Sequence, residues 1–548
     1  MYFDILFTKE EKMTCKLRST ILSAGCAMLA MALVVAFRTA PAQNAQYATG
    51  DSCTYFPYPS GVIPSDLNAE INRVRSEIDL VEAEALAQWQ ALPINPGTAM
   101  RQVQLLGKIE LYDKNLSVNR NQACTFCHMP YVSFTGPIPS VNAMPVAYPG
   151  SVHYRFGKRK PNAYAYSPLF PVLHYNQTQT NFYGGNFWDG RATGYKLQSP
   201  DAEQAQDPVR DTQEMGLPDS ACVVYRLATG NYRSVFETVW GKQAFAIYWP
   251  WDVEEICNTP AGAAVFEGNP EPVRLSAVDR GRSNATFDEY AVSITAFEGS
   301  PDVSAFSSKF DAYLAGTYTL TPDEQAGYNL FRGQGNCNSC HLDGRGTTPT
   351  AGQTDTSIAA NVASVFTDTT SANLGLPKNP ADPIYFQTVP DCFRFTPNPL
   401  GFGFTDLGMG AFLRSNSNPN SDWTGLAPTF DGFMQVATAR NVDMRPCPTF
   451  VKAYMHNGYL KSLKEVVHFY NTRDLYAYSV TSGNCPAGTT EKVNCWPEPE
   501  VPQTKDMTVG NLGLTDQEED QIVTFLQTLT DGFTRPYTDF TVFSGKCP

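Results

Sequence analysis

Two copies of one short cysteine–histidine motif constrain this 548-residue chain more than any other feature. Each copy has the pattern C-x-x-C-H, and the copies are Cys124, Cys127 and His128, and Cys337, Cys340 and His341. In this pattern the two thiols can bind the vinyl groups of a haem as thioethers, while the adjacent histidine binds the iron. The sequence therefore predicts two covalently attached c-type haems, with His128 and His341 as axial iron ligands.

A redox-active dithiol and half of a zinc site are the alternative interpretations of such a motif. A redox dithiol does not require the following histidine. A structural zinc site needs a second pair of ligands close by, which neither motif has. Because the motif occurs twice, and each copy opens what resembles a cytochrome unit, we favour haem attachment.

The amino-acid composition limits which molecules this protein can bind. The chain has a formal net charge of -14, and no basic patch appears as a run, which argues against nucleic acid as a partner. An acidic surface suits a basic protein partner. With 548 residues, 42% of them hydrophobic, the chain can form two or three domains that each bury a core.

The N-terminus has the pattern of an export signal. Basic residues, an apolar run and a small-residue cleavage site follow one another: Lys16 and Arg18, residues 21–37, and Ala40-Pro41-Ala42. We predict a cleaved signal peptide over residues 1–42, a periplasmic or cell-surface location, and no membrane span in the mature chain. An uncleaved anchor and a lipid-modified Cys26 are the alternatives, and Met13 is an alternative start.

Eight of the fourteen cysteines lie outside the signal and the motifs: Cys53, Cys222, Cys257, Cys392, Cys447, Cys485, Cys495 and Cys547. An even number in an exported chain predicts disulfides. Sequence alone cannot give their connectivity, and only neighbours such as Cys485 and Cys495 can be paired.

Helical patterns surround the first motif. We assign residues 43–95 to an N-terminal extension that contains one amphipathic helix, at residues 65–92. The first cytochrome unit, residues 96–314, begins with a helix at Met100–Tyr112 and closes with a helix at Thr286–Glu298.

The second unit, residues 315–548, repeats this plan. It opens with a capped helix start at Thr321 and closes with a capped helix at Thr515–Leu529. The predicted fold is mainly α, with two class I cytochrome c-like domains that each hold one haem. The 40 glycines and 40 prolines predict long irregular loops.

Further motifs resemble those of the bacterial di-haem cytochrome c peroxidases and their relative MauG. Residues 186–192 have the sequence N-F-W-D-G-R-A, and Gln204 is followed ten residues later by Glu214 and Met215, as in that family. The interval from Trp188 to Gln204 is longer than the family's by about a turn and a half of helix. Other matches lie at residues 373–377, 439–442, 454–458 and 463–471, and the resemblance covers about residues 96–535.

The resemblance implies catalytic roles for three residues. Glu214 would move a proton between the two oxygens of hydrogen peroxide at the first haem, which is general acid–base work. Gln204 would orient the peroxide or the carboxylate, and Trp188 would pass charge between the haems. Judged without the resemblance, Glu214 would be a solvated surface residue and Trp188 a packed core aromatic.

The same resemblance gives the second haem a tyrosine ligand. Tyr470 lies fourteen residues after His456, where cytochrome-fed peroxidases have methionine and MauG has tyrosine. A phenolate is a hard, anionic donor that favours higher iron oxidation states. The alternative is that Tyr470 belongs to the apolar stripe of a helix with Val466 and Phe469, and Met455 is then the alternative ligand.

The sequence leaves two further predictions undecided, the role of His153 and a calcium site. His153 is either a surface residue or a reversible ligand of the first haem. The family also carries a calcium ion between its domains, bound partly by backbone carbonyls that correspond to those of Val451 and Ala453.

The expected function is that of an exported di-haem c-type oxidoreductase of the peroxidase family. Hydrogen peroxide would react at the first haem, with electrons coming through the second haem from a protein partner, as in MauG-like oxidation of aromatic side chains. The alternatives are a conventional cytochrome c peroxidase supplied by a small redox protein, and a non-catalytic di-haem electron carrier.

Overall fold

Helices form most of the regular structure. The computed structural model describes residues 56–344, 364–476 and 478–536. Its α-helices are α1 (Leu67–Ala91), α2 (Ala99–Tyr112), α3 (Pro139–Ala143), α4 (Pro200–Ala205), α5 (Ser220–Thr229), α6 (Arg233–Trp240), α7 (Val253–Cys257), α8 (Ala277–Glu298), α9 (Lys309–Leu314), α10 (Pro322–Arg332), α11 (Gly408–Leu413), α12 (Leu463–Thr472) and α13 (Asp516–Gln527).

Sheet is confined to short antiparallel pairs in these residues. Strand β1 (His174–Asn176) pairs with β2 (Asn181–Tyr183), and β3 (Ser371–Ala372) pairs with β4 (Met434–Gln435). The register places His174 opposite Tyr183 and Ser371 opposite Gln435. The predicted mainly α fold is therefore confirmed.

The chain from Cys53 onward forms one compact unit. The predicted signal peptide lies outside the described residues, as do Cys53 and Cys547. Across the parts of the chain that the structure describes, no helix has the length and apolarity needed to cross a membrane.

Helix α1 is the amphipathic helix that the sequence predicts in the N-terminal extension. Its buried positions recur every three or four residues, so that one stripe faces α2: Leu67, Ile71, Val74, Ile78, Val81, Ala85 and Trp89.

Two helix pairs, α2 with α8 and α10 with α13, each cross at a glycine. A Cβ atom on Gly107 would lie 1.9 Å from the carbonyl oxygen of Ser293, and one on Gly327 would lie 1.9 Å from that of Gln521. Only glycine permits backbones to come so close. Each C-x-x-C-H motif follows the first helix of a pair, so the crossings fix where the motifs lie.

The N-terminal caps of the second helix pair, α10 and α13, are those that the sequence predicts. Thr321 and Glu324 form a capping box at α10, and Thr515 and Glu518 form one at α13. The first pair differs from expectation, because α8 begins nine residues before the predicted Thr286, where Ser276 caps it by accepting from the Asp279 N–H.

Disulfides hold the loops around these helices. Cys485 pairs with Cys495, as the sequence predicts, and Cys222 pairs with Cys257 over a separation of 35 residues. Among the described residues, the free cysteines are the four of the two motifs: Cys124, Cys127, Cys337 and Cys340. The four thiols that two covalent haems require are therefore not used in disulfides.

Candidate functional site

A cavity lies beside each C-x-x-C-H motif. The first cavity, of about 290 Å³, is lined by Cys124, Cys127 and His128. The second, of about 240 Å³, is lined by Cys337, Cys340 and His341. Each is many times the ~10–15 Å³ that one water molecule needs, and of the order of a ligand pocket.

Both motif histidines are oriented by backbone carbonyls. The Nδ1 atom of His128 lies 2.9 Å from the oxygen of Phe134, and that of His341 lies 3.0 Å from the oxygen of Phe366. A proton on Nδ1 that is donated to a carbonyl leaves Nε2 with its lone pair for a metal. Burial lowers the pKa of His128 to about 4 and also lowers that of His341, which keeps both imidazoles neutral.

The polar wall of the first cavity carries two of the predicted catalytic residues. Gln204 lies on α4, whose start is capped by Ser199, and Glu214 lies in the loop that follows. This loop packs on Gly150, where a Cβ would lie 2.3 Å from the carbonyl oxygen of Gln213. The Ser151 N–H donates to the Glu214 carbonyl at 2.6 Å. The chain therefore brings Gln204 and Glu214 to the same cavity as His128.

Both negatively and positively charged side chains lie near Glu214 and affect its pKa. Burial is the largest cause that raises its pKa, to about 8, and the negative charges of Asp211 and Asp207 add to the effect, while Arg191 opposes it. Asp211 lines the same cavity. The Arg191 guanidinium is held by ion pairs to Asp189 at 3.1 Å and Asp207 at 2.9 Å. The protonated form of Glu214 therefore predominates at neutral pH, and the fraction that is a carboxylate, the form that can accept a proton, grows as the pH rises toward 8.

A second buried acid, Glu298, lines the same cavity at the end of α8. It lies beside the buried Asp201, and Ser167 Oγ is 3.5 Å from its Oε2 atom. Burial, and then the negative charge of Asp201, raise the pKa of Glu298 well above its usual range. Burial thus favours the protonated form of Glu298, and this second buried acid offers an internal comparison for Glu214.

Trp188 lies at the boundary between the two cavities. It lines the second cavity, while its chain neighbours Phe187 and Asp189 line the first. Residues 186–192, which contain Trp188, form a turn that is closed by a hydrogen bond of 2.8 Å from the Asn186 N–H to the Ala192 carbonyl. A position between the cavities agrees with the role that the resemblance implies for this indole.

The second cavity carries tyrosine and methionine instead of a carboxylate–amide pair. Tyr470 on α12 and Met455 both line it, together with His341 and His456. The Trp188 and His456 rings lie 6.4 Å apart, edge to face. Burial is the largest cause that raises the pKa of Tyr470, which favours the neutral phenol.

The sequence left two predictions undecided, the role of His153 and the calcium site, and the structure bears on them differently. His153 is buried, with 8% of its surface exposed, so the surface interpretation is wrong. It is also absent from the residues that line the first cavity.

For calcium, the Val451 carbonyl accepts a hydrogen bond of 3.1 Å from the Asn142 amide, and the Lys461 ammonium bonds the Asn142 carbonyl at 2.8 Å. The residues that the structure describes include no cluster of three or more acidic, histidine or cysteine side chains that could hold a metal. The surroundings do not fit a calcium site well, and calcium stays a prediction of the resemblance.

Several residues of the cavities were missed from the sequence. Asp211 and Glu298 line the first cavity, and Lys160 lines both. The available signal for Lys160 was the basic run Lys158-Arg159-Lys160, which is contrary to the expectation that no such run exists. No pattern marked Glu298, which a helix of ordinary composition brings to the cavity from far along the chain.

Two free thiol pairs and two oriented, neutral histidines, each at its own cavity in a helical fold, define a protein built to bind two c-type haems. Comparison with known proteins is in agreement. Residues 101–319 match the family described as di-haem cytochrome c peroxidase. The methylamine utilization protein MauG of Paracoccus denitrificans is 28% identical over 82% of this chain and 93% of its own length.

A cytochrome-c peroxidase, IdrP1 of Denitromonas iodatirespirans, is 24% identical over 80% of this chain and 83% of its own length. Among solved structures, a variant of the diheme peroxidase BthA from Burkholderia thailandensis aligns with a TM-score of 0.56 and 22% identity. That alignment covers 82% of this chain and 90% of the other, and it supports the fold alone. Residues 101–319 therefore match the di-haem cytochrome c peroxidase family, the chain is similar to MauG over most of its length, and it is an oxidoreductase of the di-haem peroxidase type.

Proposed function

We propose that this protein is an exported di-haem enzyme that reduces hydrogen peroxide at the first haem and draws electrons through the second haem from a protein partner. The observation that carries the proposal is the difference between the cavities. Glu214 and Gln204 line the cavity of His128, whereas Tyr470 and Met455 line that of His341. Each motif with its helix pair would form a class I cytochrome c-like domain, at residues 96–314 and 315–548.

Cys124, Cys127 and His128 would hold the first haem, which would supply the iron that binds peroxide and the electrons for cleavage of the oxygen–oxygen bond. The Glu214 carboxylate accepts a proton from the inner oxygen of peroxide and returns it to the outer oxygen, which leaves as water. The Gln204 amide can donate to the peroxide and accept from it, and so holds it against Glu214.

Trp188 is proposed as the relay between the two haem sites. An indole is oxidisable, and this one lies between the cavities. Hydrogen bonds hold both its backbone and its ring: the Trp188 carbonyl accepts from the Gln435 N–H at 2.7 Å, and the indole N–H donates to the Lys160 carbonyl at 2.9 Å. A packed ring keeps its distance to both sites constant, which suits electron transfer.

Tyr470 favours a MauG-like version of the activity. A phenolate ligand at the second haem would stabilise oxidised iron there, so that this haem stores oxidising equivalents and passes them to aromatic side chains of a protein substrate. The conventional alternative is a peroxidase that oxidises a small cytochrome. Both versions use the same first cavity.

The test is the single-turnover reaction of the purified two-haem protein with hydrogen peroxide, followed by stopped-flow spectroscopy. Replacing Glu214→Gln keeps the size of the side chain and removes the base, so the reaction should slow by about 100-fold or more. Glu298→Gln is the matched control, because Glu298 is a second buried carboxyl group that lines the same cavity. Equal rates in wild type and Glu214→Gln would remove Glu214 from the mechanism.

Two further measurements separate the versions of the proposal. Rapid steady-state oxidation of a reduced small cytochrome would favour the conventional peroxidase. A resting protein in which both irons are six-coordinate and low-spin, with no peroxide reaction, would instead indicate an electron carrier.

A further inference from the structure

Three lysines lie where the two cavities approach each other. Lys160 lines both cavities, Lys158 lines only the first, and Lys452 lines only the second. Lys160 and Lys452 are buried, with 9% and 4% of their surfaces exposed, and Lys158 is exposed. Lysine is among the residues least often fully buried without a partner, so the two buried side chains require an explanation.

The two buried ammonium groups bond only backbone oxygens. Lys160 Nζ donates to the Pro161 carbonyl at 2.9 Å, and Lys452 Nζ donates to the carbonyls of Asn441 and Met444 at 3.2 and 3.0 Å. Neither forms an ion pair with a carboxylate of the described residues. Burial lowers the pKa of Lys160 to about 8. Burial, and then the positive charge of Lys160, lower the pKa of Lys452 well below its usual range, although the negative charge of Asp443 opposes them.

The neighbouring Arg159 shows the opposite arrangement. Its guanidinium is buried between Asp189 and Asp406, with ion-pair distances of 2.6 and 2.7 Å. An arginine next in sequence to Lys160 is therefore fully compensated by the protein. A buried charge normally requires such a partner, because removal from water costs several kcal/mol per ion.

Apart from the three lysines, the charged side chains that line the cavities are acids and arginines that are held in ion pairs. Arg440 at the second cavity pairs with Asp311 and Asp531. Burial raises the pKa of Glu500, which also lines that cavity, to about 7. Asp506 lines it as well. The three lysines are thus cations at the cavities that form no ion pair among the described residues, although acids lie in their surroundings.

We propose that Lys158, Lys160 and Lys452 bind the carboxylate side arms of the two haems, and that Lys160 is shared between them. The proposal rests on the two-haem function above. Each haem carries two propionate groups, which are anionic and must be compensated when the haem is enclosed. The lining of the cavities assigns Lys158 to the first haem and Lys452 to the second.

This assignment predicts a pattern of redox potentials. A cation beside a haem favours the reduced iron, which has one positive charge less, so its removal shifts the midpoint potential to more negative values. Loss of the Lys158 charge should shift the first haem alone, and loss of the Lys452 charge the second alone. Loss of the Lys160 charge should shift both.

The experiment is a spectroelectrochemical titration of the full two-haem protein in the absence of peroxide. The variants are Lys158→Met, Lys160→Met and Lys452→Met, which keep an unbranched apolar stem and remove the charge. Lys242→Met, at an exposed position outside both cavities, is the control. Lys160→Arg restores a cation and should restore both potentials.

The proposal is supported if Lys158→Met shifts only the potential of the first haem, Lys452→Met shifts only that of the second, and Lys160→Met shifts both. Unchanged potentials in all three variants, or the same shift of both potentials in each, would overturn it. Haem content and circular dichroism identify a variant that fails to mature, and Lys160→Gln, which keeps a hydrogen-bond donor, then carries the same test. Because no peroxide is used, the outcome does not depend on the proposed peroxidase activity.

Discussion

The indole N–H of Trp188 donates a hydrogen bond of 2.9 Å to the backbone carbonyl of Lys160. The N–H of Lys160 in turn donates to the carbonyl of His456 at 2.7 Å, so the indole is tied to a residue of the second unit. The acceptor is a neutral carbonyl and not a carboxylate. Oxidation of Trp188 would therefore not be accompanied by transfer of its proton to a base, which favours a rapid relay over a stable neutral radical.

Replacing Trp188→Phe should slow electron transfer between the haem sites by at least about tenfold, equivalent to about 1.4 kcal/mol in the barrier. Phenylalanine fills the same position but is far harder to oxidise. The measurement is the rate at which the second haem's spectrum changes after the first site has reacted with peroxide. Trp423→Phe is the control, because Trp423 is buried yet lines neither cavity. A rate unaffected by Trp188→Phe would contradict the relay.

Replacing Tyr470→Phe should change the ferric optical and EPR spectra of the second haem and leave those of the first unchanged. The phenol is the group that would donate to the iron, and phenylalanine removes only its oxygen. Tyr454→Phe is a matched control, since Tyr454 lines the same cavity and its hydroxyl lies 3.4 Å from the Val442 carbonyl. Identical spectra for Tyr470→Phe and wild type would leave Met455 as the candidate ligand.

The rate of the peroxide reaction should rise with pH through about 8 and then reach a plateau. The pKa of Glu214 is raised to about 8, so the carboxylate that accepts the peroxide proton is the minor form at lower pH. Single-turnover rates measured across this range give the inflection. A profile with the same inflection in Glu214→Gln would show that another group titrates.

In the Asp211→Asn variant, the inflection in the pH dependence of the peroxide reaction rate should move to lower pH. The negative charge of Asp211 is the second cause that raises the pKa of Glu214, after burial, and asparagine removes it. Glu298→Gln should leave the inflection in place, because Glu298 is not among the groups whose charges shift the pKa of Glu214. An unmoved inflection in Asp211→Asn would mean that burial alone sets the pKa.

Local features of the sequence predicted much of this fold. The capping boxes at Thr321 and Thr515 satisfy backbone N–H groups within a few residues, and the buried stripe of α1 repeats with the helical period. The paired C-x-x-C-H motifs are likewise local. Such features require no knowledge of what the chain packs against.

Residues brought together from distant parts of the chain could not be predicted in this way. Cys222 and Cys257 are separated by 35 residues, and nothing in either neighbourhood marks the other as its partner. Glu298 reaches the first cavity because α8 crosses α2 at Gly107, a tertiary contact without a sequence signature. The resemblance to a family supplied Gln204 and Glu214, which residue patterns alone would have left on the surface.

The helix crossings predict a sharp difference between two glycines of the first unit. Replacing Gly107→Ala should reduce the free energy of unfolding by about 3 kcal/mol or more, because the new methyl would lie 1.9 Å from the Ser293 carbonyl oxygen and force the helices apart. Gly281→Ala, in α8, meets no atom within 4 Å and should be neutral or stabilising by up to about 1 kcal/mol. Denaturant unfolding of the two-haem proteins measures both. A Gly107→Ala protein as stable as Gly281→Ala would show that the pair does not need this close approach to position the first motif.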